Sequence, residues 1–105
     1  MKYVMVAQTR PKEGREQEFN DWYDNVHLSQ VLAVPGFTAA QRFQVASGKS
    51  PYPMIALYEM EADEPQEIWK LTEQLAAGMI HMEALDEAAA FIIQPIGPRV
   101  EAVSE

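Results

Sequence analysis

Between Asn20 and Phe37 the chain reads NDWYDNVHLSQVLAVPGF, a run in which groups able to take, give or stack crowd together. His27 is one of only two histidines in the 105 residues. Asp24 lies three residues before it and Tyr23 four before, so on a helix both reach its ring from one face, and Asn20 falls on the same stripe. A carboxylate beside an imidazole fixes its tautomer and holds its pKa near or above neutrality, which suits a general base or acid. The structural alternative is that His27 caps the C-terminus of a helix, where the dipole favours it, with Asp24 as its partner. Both readings stand on the sequence alone.

Other candidates surround this run. Trp22 and Tyr23 follow an apolar stripe and read as core residues, although Trp22 is also placed to line a cleft. Arg42 keeps its charge at any ordinary pH and needs an anion: Glu59 on a neighbouring strand, or a substrate carboxylate or enolate. Tyr58 either faces the helices with Ala56 and Met60 or points its hydroxyl into a pocket. His81, in GMIHMEALD, reads as a surface or dimer-rim residue. The serines have no evident base beside them. No phosphate loop, Gly-rich nucleotide fingerprint or Gly-x-Ser-x-Gly occurs, and no histidine or carboxylate spacing suits a dedicated metal site. No metal and no cofactor is expected.

The elements that must position these residues follow from periodicity and punctuation. Lys2–Thr9 is β-branched and apolar and predicts a strand. From Glu13 to Val26, Phe19, Trp22, Tyr23 and Val26 recur at i, i+3, i+4 and i+7, which predicts a helix. Leu28–Val34 predicts a further helical piece kinked from the first and ended by Pro35-Gly36. Phe37–Ala46 and Met54–Glu61 predict two strands joined through SGKSPYP. Asp63 and Gln66 have capping-box spacing, and Ile68, Leu71 and Leu75 form the stripe of a second helix stopping at Gly78. Ala89–Ile96 predicts the last strand. The order βαββαβ is that of a ferredoxin-like α+β fold, a four-stranded antiparallel sheet with helices on one face, over residues 1–96. Residues 97–105 form a tail, flexible or crossing to a partner subunit.

The first and last strands are apolar on both faces: Val4 and Val6 alternate with Tyr3, Met5 and Ala7, and Phe91 and Ile93 stand opposite Ala90, Ile92 and Ile96. Two helices cover one face, and an antiparallel sheet with a wet second face would alternate with polar residues. The cheapest cover is a second copy, which predicts a homodimer closing into a dimeric α/β barrel.

Apolar content of 48% and charged content of 23% fit a globular domain, and cysteine is absent. A formal net charge of −8 disfavours nucleic acid and anionic membrane as partners. No apolar run is long enough to span a bilayer, and a cytoplasmic protein is expected.

The segments WYDNVHLSQVLAVPGF, AAQRF and IALYEME together resemble the EthD-like family of the dimeric α/β-barrel superfamily, over roughly residues 1–96. The distinctive core is Tyr-Asp-x-x-His-Leu followed by Val-Pro-Gly-Phe; the family usually has proline where this chain has Ser29. The resemblance implies the fold, the dimer, and a place in bacterial catabolism of small organic molecules. By its superfamily it implies cofactor-independent proton transfer, isomerisation or cyclisation, on a small apolar or aromatic compound. His27 would act as base, Asp24 would orient it, and a tyrosine or Arg42 would stabilise oxyanion charge. In polyketide-cyclase relatives a histidine near His81 moves protons. A non-catalytic ligand-binding or accessory role is the alternative. Haem-degrading relatives use a tryptophan, a histidine and a first-strand asparagine; this chain offers Trp69 and His81 but only Gln8 for the third.

Overall fold

In the computed structural model the chain is described over residues 1–64, 66–70, 73 and 82–103. Strands β1 (Lys2–Pro11), β2 (Phe37–Gln44), β3 (Met54–Glu61) and β4 (Leu85–Ile93) form one antiparallel sheet in the order β2-β3-β1-β4. Between β1 and β2 run helix α1 (Glu16–Trp22), a π-helical turn (Tyr23–His27) and helix α2 (Leu28–Leu32). Residues 66–70 are helical and form α3. The ferredoxin-like order and antiparallel sheet expected from the sequence are present. Pro65, Leu71, Leu75, Gly78 and His81 lie outside the described residues.

Several boundaries move. The last strand begins at Leu85 and ends at Ile93, and β2 stops at Gln44 rather than Ala46. The two expected helical pieces follow one another without a break. Trp22, Tyr23, His27 and Leu28 all keep right-handed helical dihedrals, and the Leu28 N–H donates to the Tyr23 carbonyl five residues back. One extra residue is thus absorbed into a continuous rod rather than into a break.

That extra residue resets the inward face. Stepping by four along an α-helix drifts about 40° per step, so three steps would carry a stripe about 120° away from the core. Yet Phe19, Tyr23, His27 and Val31 are all buried. Val26, expected to belong to the stripe, is 40% exposed, while His27 is 4% exposed.

A second one-residue irregularity sits in β2. Phe37 pairs with Met60, but the next pair is Ala39 with Glu59, leaving Thr38 as a bulge. Side chains alternate along a strand, so the bulge turns both Phe37 and Arg42 towards the helices, where an unbroken strand would put them on opposite faces. The core lies between helices and sheet: Tyr3, Met5, Phe37, Ala56, Tyr58 and Met60 meet Phe19, Tyr23, Val31 and Ile68.

The chain leaves this layer at Pro35-Gly36. Gly36 adopts φ +102°, and a Cβ there would stand 3.1 Å from the Glu61 carbonyl oxygen. The Glu61 N–H also donates to the Gly36 carbonyl at 2.8 Å, so the turn is stitched to the end of β3 where only glycine fits. The opposite sheet face carries Val4, Val6, Ile55, Leu57, Phe43, Phe91 and Ile93 in register across the four strands. Phe43, Phe91 and Ile93 are among the exposed large hydrophobic residues. Both faces of the sheet therefore carry apolar residues on β1 and β4, as the strand patterns predict, the outer one together with Lys2, Gln8, Gln41, Glu59 and Glu61.

Candidate functional site

The inward stripe of the helical rod meets β2 and β3 in a cluster of aromatic and polar side chains. The Tyr23 and Tyr58 hydroxyls are 2.5 Å apart, each buried. Tyr58 thus faces the helices with Ala56 and Met60, and its hydroxyl ends on Tyr23. The Phe37 ring meets Tyr58 edge-on at 6.0 Å. Burial raises the pKa of both phenols above the ordinary tyrosine value, so both stay neutral and one donates to the other. Among the described residues no buried side-chain nitrogen or oxygen lacks a hydrogen-bond partner.

Removing either phenol oxygen leaves the other buried without a partner. Tyr23→Phe and Tyr58→Phe are each expected to cost about 1–3 kcal/mol, and the double variant less than their sum. A double-mutant cycle in urea checks this; strict additivity would mean that the two hydroxyls do not depend on each other.

His27 packs between rings. Its imidazole stacks on Trp22 at 4.7 Å and 17°, and meets Tyr23 edge-on at 4.8 Å and 79°. Its Nδ1 lies 3.4 Å from Gln30 Oε1. An amide oxygen only accepts, so Nδ1 carries the proton and Nε2 keeps the lone pair. Burial lowers the His27 pKa, and the Gln30 contact offsets this in part. The imidazole is neutral at pH 7. This differs from the sequence expectation of a carboxylate-supported ring with its pKa near or above neutrality.

Asp24 explains the difference. Its Oδ1 accepts from Arg42 Nη1 at 2.9 Å, while Asn20 Oδ1 accepts from Nη2 at 2.7 Å. The Arg42 guanidinium also lies over the Tyr23 ring, 4.4 Å from its centroid. Glu59, the partner expected for Arg42 within the chain, stands on the other sheet face opposite Ala39, because of the Thr38 bulge. Asn20, Asp24 and Arg42 border an open depression of roughly 270 Å³ with Phe43, Gln44 and Met54.

The structure therefore brings Tyr23, Trp22, His27, Tyr58, Arg42, Asp24 and Asn20 together, but in two linked halves. One is ionic and open (Asn20, Asp24, Arg42). The other is aromatic, with His27 and Tyr58 buried and Trp22 half-buried. Tyr23 joins them, with Arg42 over its face and His27 at its edge. Gln30 was not singled out from the sequence, though its i+3 spacing from His27 could have shown it. Gln8, the residue offered in place of a haem-binding asparagine, lies on the far sheet face between Ile55 and Ala89. Among the described residues no three His, Cys, Asp or Glu side chains gather as a metal site. No helix among them is long and apolar enough to cross a membrane.

His27 gives a pH signature whose sign comes from linkage. The unfolded chain takes up the proton near the ordinary histidine pKa of about 6.5, while the folded chain resists it. Stability is therefore expected to fall as pH drops below about 6.5, by at most about 1.4 kcal/mol per pH unit from this group. Above that pH the group contributes no slope. Urea unfolding at several pH values, for the native chain and His27→Gln, isolates it; identical profiles would place the native ring in water.

No family model matches the chain, and no curated protein matches it. Solved structures do. A DABB-family protein with a ferredoxin-like fold from Mesorhizobium loti is similar at a TM-score of 0.69 and 12% identity, over 91% of this chain and 98% of that one. An ethyl tert-butyl ether D (EthD) family protein from Bacillus halodurans is similar at 0.65 and 17% identity, over 91% and 99%. A dimeric ferredoxin-like protein of unknown function from Thermobifida fusca is similar at 0.60 and 12% identity, over 89% and 90%. The chain has the fold that EthD and DABB proteins share.

Proposed function

We propose that this chain is an EthD-like protein that works as a homodimer and moves a proton on a small apolar or aromatic molecule, with the neutral His27 imidazole as base. The observation that carries the reading is the state of that ring. It is uncharged, its Nδ1 is turned to Gln30, and the ring packs against Trp22 and Tyr23, surroundings suited to an apolar substrate. Arg42, held over the Tyr23 ring, supplies positive charge for a developing enolate or phenolate, and the phenol pair supplies a donor. Asp24 acts on Arg42 in this scheme and holds it in place. The dimer is supported by the apolar outer sheet face and by the dimeric relative of the same fold. A place in small-molecule catabolism belongs to the same proposal and follows from the EthD likeness.

A second reading has its own support. His27 and Tyr23 are almost wholly buried, so a substrate must part helix from sheet to touch them. A module that binds a ligand at the open Asn20-Asp24-Arg42 depression without turnover fits that burial.

One experiment separates the two. Enolisable aryl ketones are incubated with the protein in deuterated water, and loss of the α-proton signal is followed by NMR. Proton transfer predicts accelerated exchange for at least one ketone, at least ~100-fold slower in His27→Gln. Ligand-dependent chemical shifts at Arg42 with no exchange favour the binding module. Exchange that is unchanged in His27→Gln removes His27 as the base.

A further inference from the structure

The ionic half of the site has more hydrogen-bonding capacity than the chain itself uses. Arg42 gives one N–H to Asp24 Oδ1 and one to Asn20 Oδ1. Its remaining N–H groups, Asp24 Oδ2, the Asn20 amide nitrogen and the Gln44 side chain make no hydrogen bond among the described residues. The Asp24 side chain is 58% exposed against 15% for Arg42, so its free oxygen is open to an arriving group. These groups stand on the helical side of the sheet. Arg42 pairs with Ala56, buried beneath the helices, and Gln44 two residues on pairs with Met54. The surface that a second sheet would cover is the opposite one.

The charge of Arg42 is already met. Asp24 holds it at 2.9 Å, so the depression carries one cation and one anion in a chain of net charge −8. A carboxylate arriving at Arg42 must share the guanidinium with Asp24 or displace it, and like-charge repulsion opposes both. A neutral group that accepts and donates meets no such penalty. Its carbonyl oxygen takes a free N–H of Arg42, and its own O–H or N–H goes to Asp24 Oδ2. The volume of roughly 270 Å³ suits one ring with a short substituent, and Met54 supplies an apolar wall.

We infer that the Asn20-Asp24-Arg42 depression reads the polar edge of the substrate. It selects a neutral aryl compound with an acceptor beside a donor, an α-hydroxy ketone or a primary carboxamide, over an aryl carboxylate. The inference rests on the reading that this site takes a small aromatic molecule, and it names the class. Asp24 becomes a specificity-determining residue. It engages the donor of the ligand while Arg42 holds the carbonyl oxygen, where enolate charge develops.

The test uses benzamide and benzoate, which share a shape and differ in charge and donors. Each is titrated into the full chain at pH 7 and low salt, and the side-chain NMR signals of Arg42, Asn20 and Gln44 are followed. Benzamide is expected to shift these signals with a Kd at least ~10-fold below that of benzoate. Asp24→Asn leaves the Arg42 charge unmet and should reverse the order. Benzoate binding as tightly as benzamide, or an unchanged order in Asp24→Asn, overturns the selection by charge. Shifts from neither probe at these residues overturn the subsite, while ketone exchange through His27 could still stand. A preference for benzamide that persists beside unchanged exchange in His27→Gln keeps the subsite and removes only the base.

Discussion

If the chain forms the proposed sheet-to-sheet homodimer, Leu57→Asp is expected to convert it to a folded monomer at micromolar concentration, seen directly by sedimentation velocity. Leu57 lies near the middle of the outer sheet face, with Val6 beside it on β1, Gln41 on β2 and Phe91 one strand further out. A two-fold interface meets every substitution twice, so one change buries two carboxylates. An unpaired ionised carboxylate in an apolar interface costs several kcal/mol, so the dissociation constant should rise by at least ~10³. The helical core lies on the other side of the sheet and should hold. Circular dichroism should therefore stay native while the mass halves. A variant that remains dimeric would mean that the copies meet through some other surface.

Phe19→Ala is expected to destabilise the protein by about 3–5 kcal/mol, the usual cost of removing a fully buried aromatic side chain and leaving its cavity. Phe19 has no exposed surface, and its ring meets Trp22 at 6.2 Å and Tyr23 at 5.6 Å. The informative control is Val26→Ala. A regular α-helix places position 26 in the inward stripe with 19 and 23, and such a core valine is costly to truncate. With the π-turn present, Val26 faces out and its loss should change stability by no more than about 0.5 kcal/mol. Urea unfolding of both variants measures the difference. A Val26→Ala cost near that of a core residue would show that the helix keeps regular register. The inward position of His27, and with it the proposed base, would then fail.

Most of the architecture was legible because it is written in repeating patterns. The alternation of apolar residues in β1 and β3, the Pro35-Gly36 stop and the two-faced strands each report an element or a layer through several residues at once. Their redundancy tolerates errors at the ends, as the early start of β4 at Leu85 shows. The candidate site was legible only as a set of residue types. Tyr23, Asp24, His27 and Arg42 do gather, but the pairings inside the set differ: Asp24 holds Arg42 instead of His27, and Tyr58 meets Tyr23.

The reason is local and physical. By itself the sequence determined the order of strands and helices, the apolar character of both sheet faces and the stretch in which polar and aromatic groups concentrate, since these depend on periodicity and composition. Two single-residue insertions, the π-turn at Tyr23–His27 and the bulge at Thr38, decided which side chains face one another. Each leaves its element intact while rotating every later residue in it, one turning His27 inward in place of Val26, the other turning Arg42 from Glu59 towards Asp24. Periodic patterns carry no mark of such a shift, because its cost is local while the packing that offsets it comes from a different part of the chain. Only the assembled core, with Phe19, Tyr23 and Tyr58 closing around the rod, selects it.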